Sequence, residues 1–99
     1  MTVKTNAKIP TPWYLYIIKC RDGSLYTGIT TNVKRRLAEH RENRGAKYLR
    51  GRGPLSLVFK EVVGSHTTAL KAERRVKRLP RYKKEQLIQT GSRDGTQES

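Results

Sequence analysis

The chemistry open to this sequence rests on a few side chains: Glu73, the pair Arg36 and His40, and the tyrosines Tyr14, Tyr16 and Tyr26. At about 100° per residue, a helix through LKAERRVKRL puts Ala69, Ala72, Val76 and Leu79 in one apolar stripe. Glu73 falls within about 70° of the stripe's centre, while the Lys and Arg residues take the outer side. A carboxylate turned inward needs a partner, because burying it unpaired is costly. Two partners suit it: an arginine, which spacing alone favours, or a hard divalent cation such as Mg2+ or Mn2+. In the helix beginning near VKRRLAEH, Val33 and Leu37 mark a buried stripe. His40 lies near it and Arg36 on the same flank, whereas Lys34 and Arg35 turn away. Alone, His40 reads as a core-edge imidazole and Arg36 as a stem lying along the core. Sharing a flank, they can point together at a site beside the core.

The acids limit what that site can be. Asp22, Glu39, Glu42, Glu61, Glu73, Glu85, Asp94 and Glu98 are the whole set, which makes a two-metal carboxylate cluster hard to build and leaves a single-metal mechanism open. One Cys and two distant His do not make a structural zinc site. No glycine-rich motif follows a strand in the Walker or Rossmann manner. Cys20 is the single cysteine, so no intrachain disulfide forms and a reducing, cytoplasmic setting is expected, with the thiol buried and inert. The longest apolar run, residues 13–18, is too short to span a bilayer, and the N-terminus has no apolar signal core.

The elements that must position these residues are readable in outline. WYLYIIKC is apolar on both alternating faces, which predicts a central strand covered on both sides. RDGS makes a hairpin turn, and LYTGIT returns as a second strand. Thr31 or Asn32 caps a helix that runs until Gly45. AKYLRGRGP is a loop, in which Gly51 and Gly53 either serve a turn or bring a basic segment close to a nucleic-acid backbone. LSLVFKEVV is a third strand. SHTTALKAERRVKRL is a second helix with Ser65 or Thr67 near its cap, and Pro80 separates it from a short third helix, RYKKEQLIQT. The expected fold is α+β: a small three-stranded antiparallel sheet flanked by helices, in the order β-β-α-β-α-α. Residues 1–11 read as a flexible lead, 12–90 as one domain and 91–99 as a disordered tail.

Charge names the class of partner. The 99 residues carry 22 Lys+Arg against 8 Asp+Glu, a formal +14. The excess comes in blocks, at 34–36, 50–53 and 71–84, which points to a polyanion, nucleic acid first, DNA or RNA, rather than to even solvation. The basic helices lack the Trp/Phe/Leu face that would enter lipid.

Together these residues resemble the GIY-YIG endonuclease domain, over about residues 12–88, and within it the small stand-alone bacterial members similar to YhbQ. The first motif of that family matches YLY at Tyr14, Leu15 and Tyr16, and the second matches YTG at Tyr26, Thr27 and Gly28. Its helix arginine matches Arg36, the histidine one turn later matches His40, and its metal-binding glutamate matches Glu73. Three positions depart from the pattern. Tyr14 stands where the first motif has Gly, Ile29 stands where excision-repair members have Lys, and no Asn follows Asn43.

The resemblance implies hydrolysis of DNA phosphodiesters with one Mg2+ or Mn2+ held by Glu73, and a role in DNA repair or recombination. Arg36 would clamp a non-bridging oxygen, Tyr16 or Tyr26 would orient or deprotonate water, and His40 would assist. Sequence specificity is expected to be low and to come from a protein partner, with the chain a monomer or weak dimer. The alternative is a binding module that keeps the fold without efficient cleavage. Lys34, Arg35, Lys47, Arg50 and Arg52 would grip the backbone and Tyr48 would stack a base. A shared tyrosine site carries a geometric demand. A two-residue Asp22-Gly23 turn puts Tyr16 and Tyr26 on opposite faces; an odd loop, expected as Asp22-Gly23-Ser24, or a bulge puts them on one.

Overall fold

The computed structural model describes residues 11–96, with side chains through residue 91. The elements are β1 (Trp13–Lys19), β2 (Leu25–Thr30), α1 (Val33–Arg41), a 3-10 turn (Lys47–Leu49), β3 (Ser56–Gly64), α2 (His66–Lys77) and α3 (Arg81–Thr96). This is the expected α+β order. The expected lead, except Thr11, and the end of the expected tail, 97–99, lie outside the described residues.

The three strands form one antiparallel sheet in the order β2-β1-β3. β1 is central and buried on both faces, because its alternation is apolar in both directions. Leu15 and Ile17 join Phe59 and Val76 on one side; Tyr16 and Ile18 join Cys20, Val33, Leu49 and Leu55 on the other. The sheet thus has α1 and the loop after it on one face, and α2 and α3 on the opposite face. Cys20 is a buried free thiol, as expected.

The hairpin decides which residues meet. Tyr16 pairs with Gly28 and Ile18 with Tyr26. Tyr26, opposite Ile18, therefore shares a face with Tyr16. The loop is odd, but it is Arg21-Asp22-Gly23 rather than Asp22-Gly23-Ser24. Cys20 N–H donates to Ser24 O and Gly23 N–H to Cys20 O, each at 2.9 Å, and Gly23 takes φ 89°. That is a tight turn closed by a left-handed glycine, as in the common three-residue hairpin. The Ser24 amide and hydroxyl both donate to Asp22 Oδ1, at 3.0 and 2.7 Å, which fixes Asp22 in the turn and leaves Ser24 to the ladder.

Two helix ends differ from expectation. Asn32 caps α1 by accepting from Arg35 N–H at 2.9 Å, but the helix stops at Arg41, four residues before Gly45. Asn43 takes the left-handed conformation, φ 61°, while its N–H donates to His40 O and that of Arg44 to Glu39 O. This is a Schellman ending with Asn in the role usually given to Gly. α3 runs on to Thr96 instead of ending at 90. Gly91 is not a stop signal there: a Cβ on it would overlap the Phe59 ring, so its lack of a side chain lets α3 lie directly on the sheet. Ser65 caps α2 through Thr68 N–H at 3.1 Å.

Candidate active site

Tyr16, Tyr26 and His40 come together on the α1 face of the sheet. Tyr16 is 2 % exposed and His40 1 %. The Tyr16 ring crosses over β2 at Gly28, where a Cβ would stand 2.5 Å from its hydroxyl. Only a residue without a side chain lets the phenol reach α1, which gives Gly28 of the YTG motif a steric reason. The Tyr16 hydroxyl then lies 2.9 Å from His40 Nε2. Tyr26 meets the same pair, its ring centroid 6.4 Å from that of Tyr16 and 5.6 Å, edge-on, from the imidazole.

The proton on His40 is fixed by its second contact. Ala46 N–H lies 3.2 Å from Nδ1, and a backbone amide only donates, so Nδ1 is the acceptor. Burial, with the neighbouring Arg36 charge, pushes the His40 pKa below its ordinary value, against the opposing charge of Glu39. In the neutral ring the proton is therefore on Nε2, and Nε2–H donates to the Tyr16 oxygen. Gly45 makes this possible, since a Cβ there would overlap His40 Nδ1. The sequence offered Gly45 only as a helix stop, so its part in seating the imidazole was not foreseen.

Arg36 completes this group. Its Nη1 donates to Glu39 Oε1 at 2.9 Å, and the guanidinium also sits beside the Tyr16 hydroxyl, where its hydrogen bond and charge favour phenolate. Burial, with Tyr26 next, outweighs this and raises the Tyr16 pKa to about 12. The Tyr16 oxygen is thus ringed by donors that await a negative charge.

Glu73 approaches from α2, on the other face of the sheet. Its carboxylate is close enough to act on the Tyr16 phenol, although it is the smallest of the influences on it. It is 21 % exposed and pairs with Lys77 Nζ at 3.2 Å, so a salt bridge is present, made to lysine rather than arginine. Among the described residues no three His, Cys, Asp or Glu side chains cluster as a metal cage. One half-buried carboxylate does suit an ion such as Mg2+ that keeps several waters and takes the rest of its shell from a phosphate.

The residues expected to bind nucleic acid divide. Lys34, Arg35, Lys47 and Arg50 are exposed, with Arg35 Nε 3.7 Å from Glu39. Lys34 borders a small pocket with Tyr14, Asn32 and Lys60. Arg52 is already engaged: Nη1 is 3.2 Å from Asp22 Oδ2, and the guanidinium covers the Tyr48 ring at 4.3 Å. Tyr48 also stacks on Tyr26, centroids 6.0 Å apart and planes 21° from parallel. Tyr48 is 45 % exposed and forms the outer end of an aromatic series leading through Tyr26 to Tyr16, with Arg52 lying over its ring. Among the described residues no helix is long and apolar enough to cross a membrane.

Known proteins are similar to this chain over most of its length. Residues 12–86 match the model of the GIY-YIG catalytic domain. The chain is 55 % identical over 76 residues to a UPF0213 protein of Cronobacter sakazakii, covering 77 % of this chain and 80 % of that one. It is 52 % identical over 82 residues to the UPF0213 protein YhbQ of Escherichia coli K12, covering 83 % and 82 %. The solution structure of a UPF0213 protein from Bacillus halodurans superposes with a TM-score of 0.53 at 50 % identity, covering 79 % of this chain and 83 % of that one. The match spans both tyrosine motifs, the α1 arginine and histidine, and Glu73, and on these grounds the chain belongs to the GIY-YIG family, a family of nucleases.

Proposed function

We propose that the protein is a metal-dependent endonuclease that hydrolyses DNA phosphodiester bonds with little base discrimination. The observation that carries this reading is the hydrogen-bonded chain from Ala46 N–H through His40 to the Tyr16 oxygen, with Arg36 beside it. Hydrolysis needs an activated water and neutralised phosphate charge. Arg36, held by Glu39, presents the rest of its planar fork to a non-bridging oxygen. Tyr16 serves as base in its phenolate form, taking a proton from water as the new oxygen–phosphorus bond forms and the bond from phosphorus to the leaving oxygen breaks, that oxygen taking its proton from solvent. Tyr26, packed against both Tyr16 and His40, orients that water.

His40 does not accept this proton. Its Nδ1 lone pair is taken by Ala46 and its Nε2 already carries hydrogen, so it holds the phenolate as a donor. Glu73 would hold the divalent ion, which when bound supplies charge stabilisation at the leaving oxygen. A place in DNA repair or recombination, and a protein partner that selects the target, belong to the same reading.

The test is cleavage of labelled duplex, single-stranded and branched DNA, and of RNA, with Mg2+ or Mn2+, by the protein and by Glu73→Ala and Arg36→Ala. Cleavage lost in both variants supports the nuclease. Tight binding without cleavage by any form makes the chain a nucleic-acid-binding module instead. Cutting that survives both substitutions overturns the assignment of these residues.

A further inference from the structure

On the side of α2 turned away from Glu73, Lys71, Arg74, Arg75 and the C-cap residue Arg78 line one concavity with Leu79. At about 100° per residue their common direction is roughly 150° around the helix from Glu73. All four are exposed, and none takes part in the ion pairs found among the described residues. They stand at i, i+3, i+4 and i+7, so each has like charges as helix neighbours, an arrangement that weakens an isolated helix. The helix dipole accounts for cations in the last turn, Arg74, Arg75 and Lys77. It does not account for Lys71, nor for four cations converging on one hollow.

We propose that this groove is a second nucleic-acid contact, separate from the site around Tyr16, which holds the phosphates of a flanking segment of the same substrate. The proposal rests on the nucleic-acid reading given above. Lys71 to Arg78 is seven steps of about 1.5 Å, a stripe about 10 Å long, which the four long side chains extend to about three phosphates of one strand. The contact is to backbone charge, so it adds affinity without base preference.

The test is a fourfold variant, Lys71→Gln, Arg74→Gln, Arg75→Gln and Arg78→Gln, compared with wild type and Arg36→Ala. Binding to a labelled 30-base-pair duplex is measured in EDTA from 50 to 200 mM salt, so that cleavage is not required. The slope of log affinity against log salt should fall in magnitude by about 3 in the fourfold variant, from roughly 0.9 per phosphate contact. Circular dichroism confirms folding, and the single Lys71→Gln, outside the last helical turn, should lower the slope by about 1. A slope unchanged in both variants overturns the groove, as does wild type that binds no nucleic acid. Equal wild-type affinity for polyglutamate of the same charge also overturns it, by marking a general polyanion surface. A slope lost in a protein that never cleaves supports the groove while refuting the nuclease.

Discussion

Among single residues, the chemistry turns on how the Tyr16 oxygen is supplied with donors. Burial keeps Tyr16 a phenol until about pH 12, so below that the phenolate fraction rises tenfold per pH unit. If phenolate is the base, log kcat at saturating metal climbs with a slope near 1 through the alkaline range in which the fold survives. A rate independent of pH there would remove Tyr16 from that role. The same burial bears on stability. Unfolded tyrosine ionises near pH 10, and the native phenol does not until about 12, so the native state binds more protons in that window. Stability therefore falls as pH rises from 10 to 12, by about 2–3 kcal/mol from this group.

His40 works in the opposite direction. Its native pKa lies below the ordinary value of 6.5, so the unfolded chain takes the proton first as pH drops below 6.5. Stability is lost on acidification through that window until the native imidazole also protonates. The melting temperature of His40→Gln should depend less steeply on pH between 7 and 5 than that of wild type; parallel curves would refute a buried neutral imidazole. Glycine contributes as well. Gly45→Ala drives a methyl group into His40 Nδ1 and is expected to cost about 1–3 kcal/mol together with most of the activity, measured by urea unfolding and cleavage. The shared flank of Arg36 and His40 was legible in helix spacing, whereas their company with the tyrosines came from the resemblance to the GIY-YIG domain. The part of Gly45 was not, because a glycine after a helix reads as its terminator, and only the folded loop shows what lies against it.

At the scale of elements, the hairpin loop sets the register that brings Tyr16 and Tyr26 onto one face. The demand for an odd loop could be argued in advance from the faces the two rings must share. Its exact frame could not, since Asp22-Gly23 also forms a good two-residue turn, and the choice depends on Ser24 bonding back to Asp22. Helix ends were the least readable feature. Asn43 and Gly91 exchanged the roles that propensity assigns them: the Asn ends a helix in a left-handed conformation, and the Gly sits inside one because Phe59 needs the room. This yields a prediction against helix propensity. Gly91→Ala, which in an exposed helix would stabilise by about 1 kcal/mol, is expected to destabilise here by about 1–3 kcal/mol on urea unfolding. A stabilised variant would show that α3 does not pack on Phe59.

Across the whole molecule, a lean core supports a formal charge of +14, with the Tyr16 cluster and the most cation-rich helix surface set apart. One face builds the Tyr16, Tyr26, Arg36 and His40 cluster, with Glu73 reaching it from the other side, and the outer surface of α2 gathers cations. The fold class and the central place of β1 followed from hydrophobic alternation and turn residues, and the blocks of charge pointed to a polyanion. The sequence did not show that Arg52 would be drawn onto Tyr48 and Asp22, because that contact joins the hairpin loop to a segment thirty residues later. The most direct test of the central claim is single-turnover cleavage of labelled duplex DNA by wild type and by Tyr16→Phe in Mg2+ or Mn2+ at pH 8.5. Wild type should cleave, and the variant should lose about 100-fold or more in rate, the usual scale for removing a general base. Equal rates in the two proteins would contradict that claim.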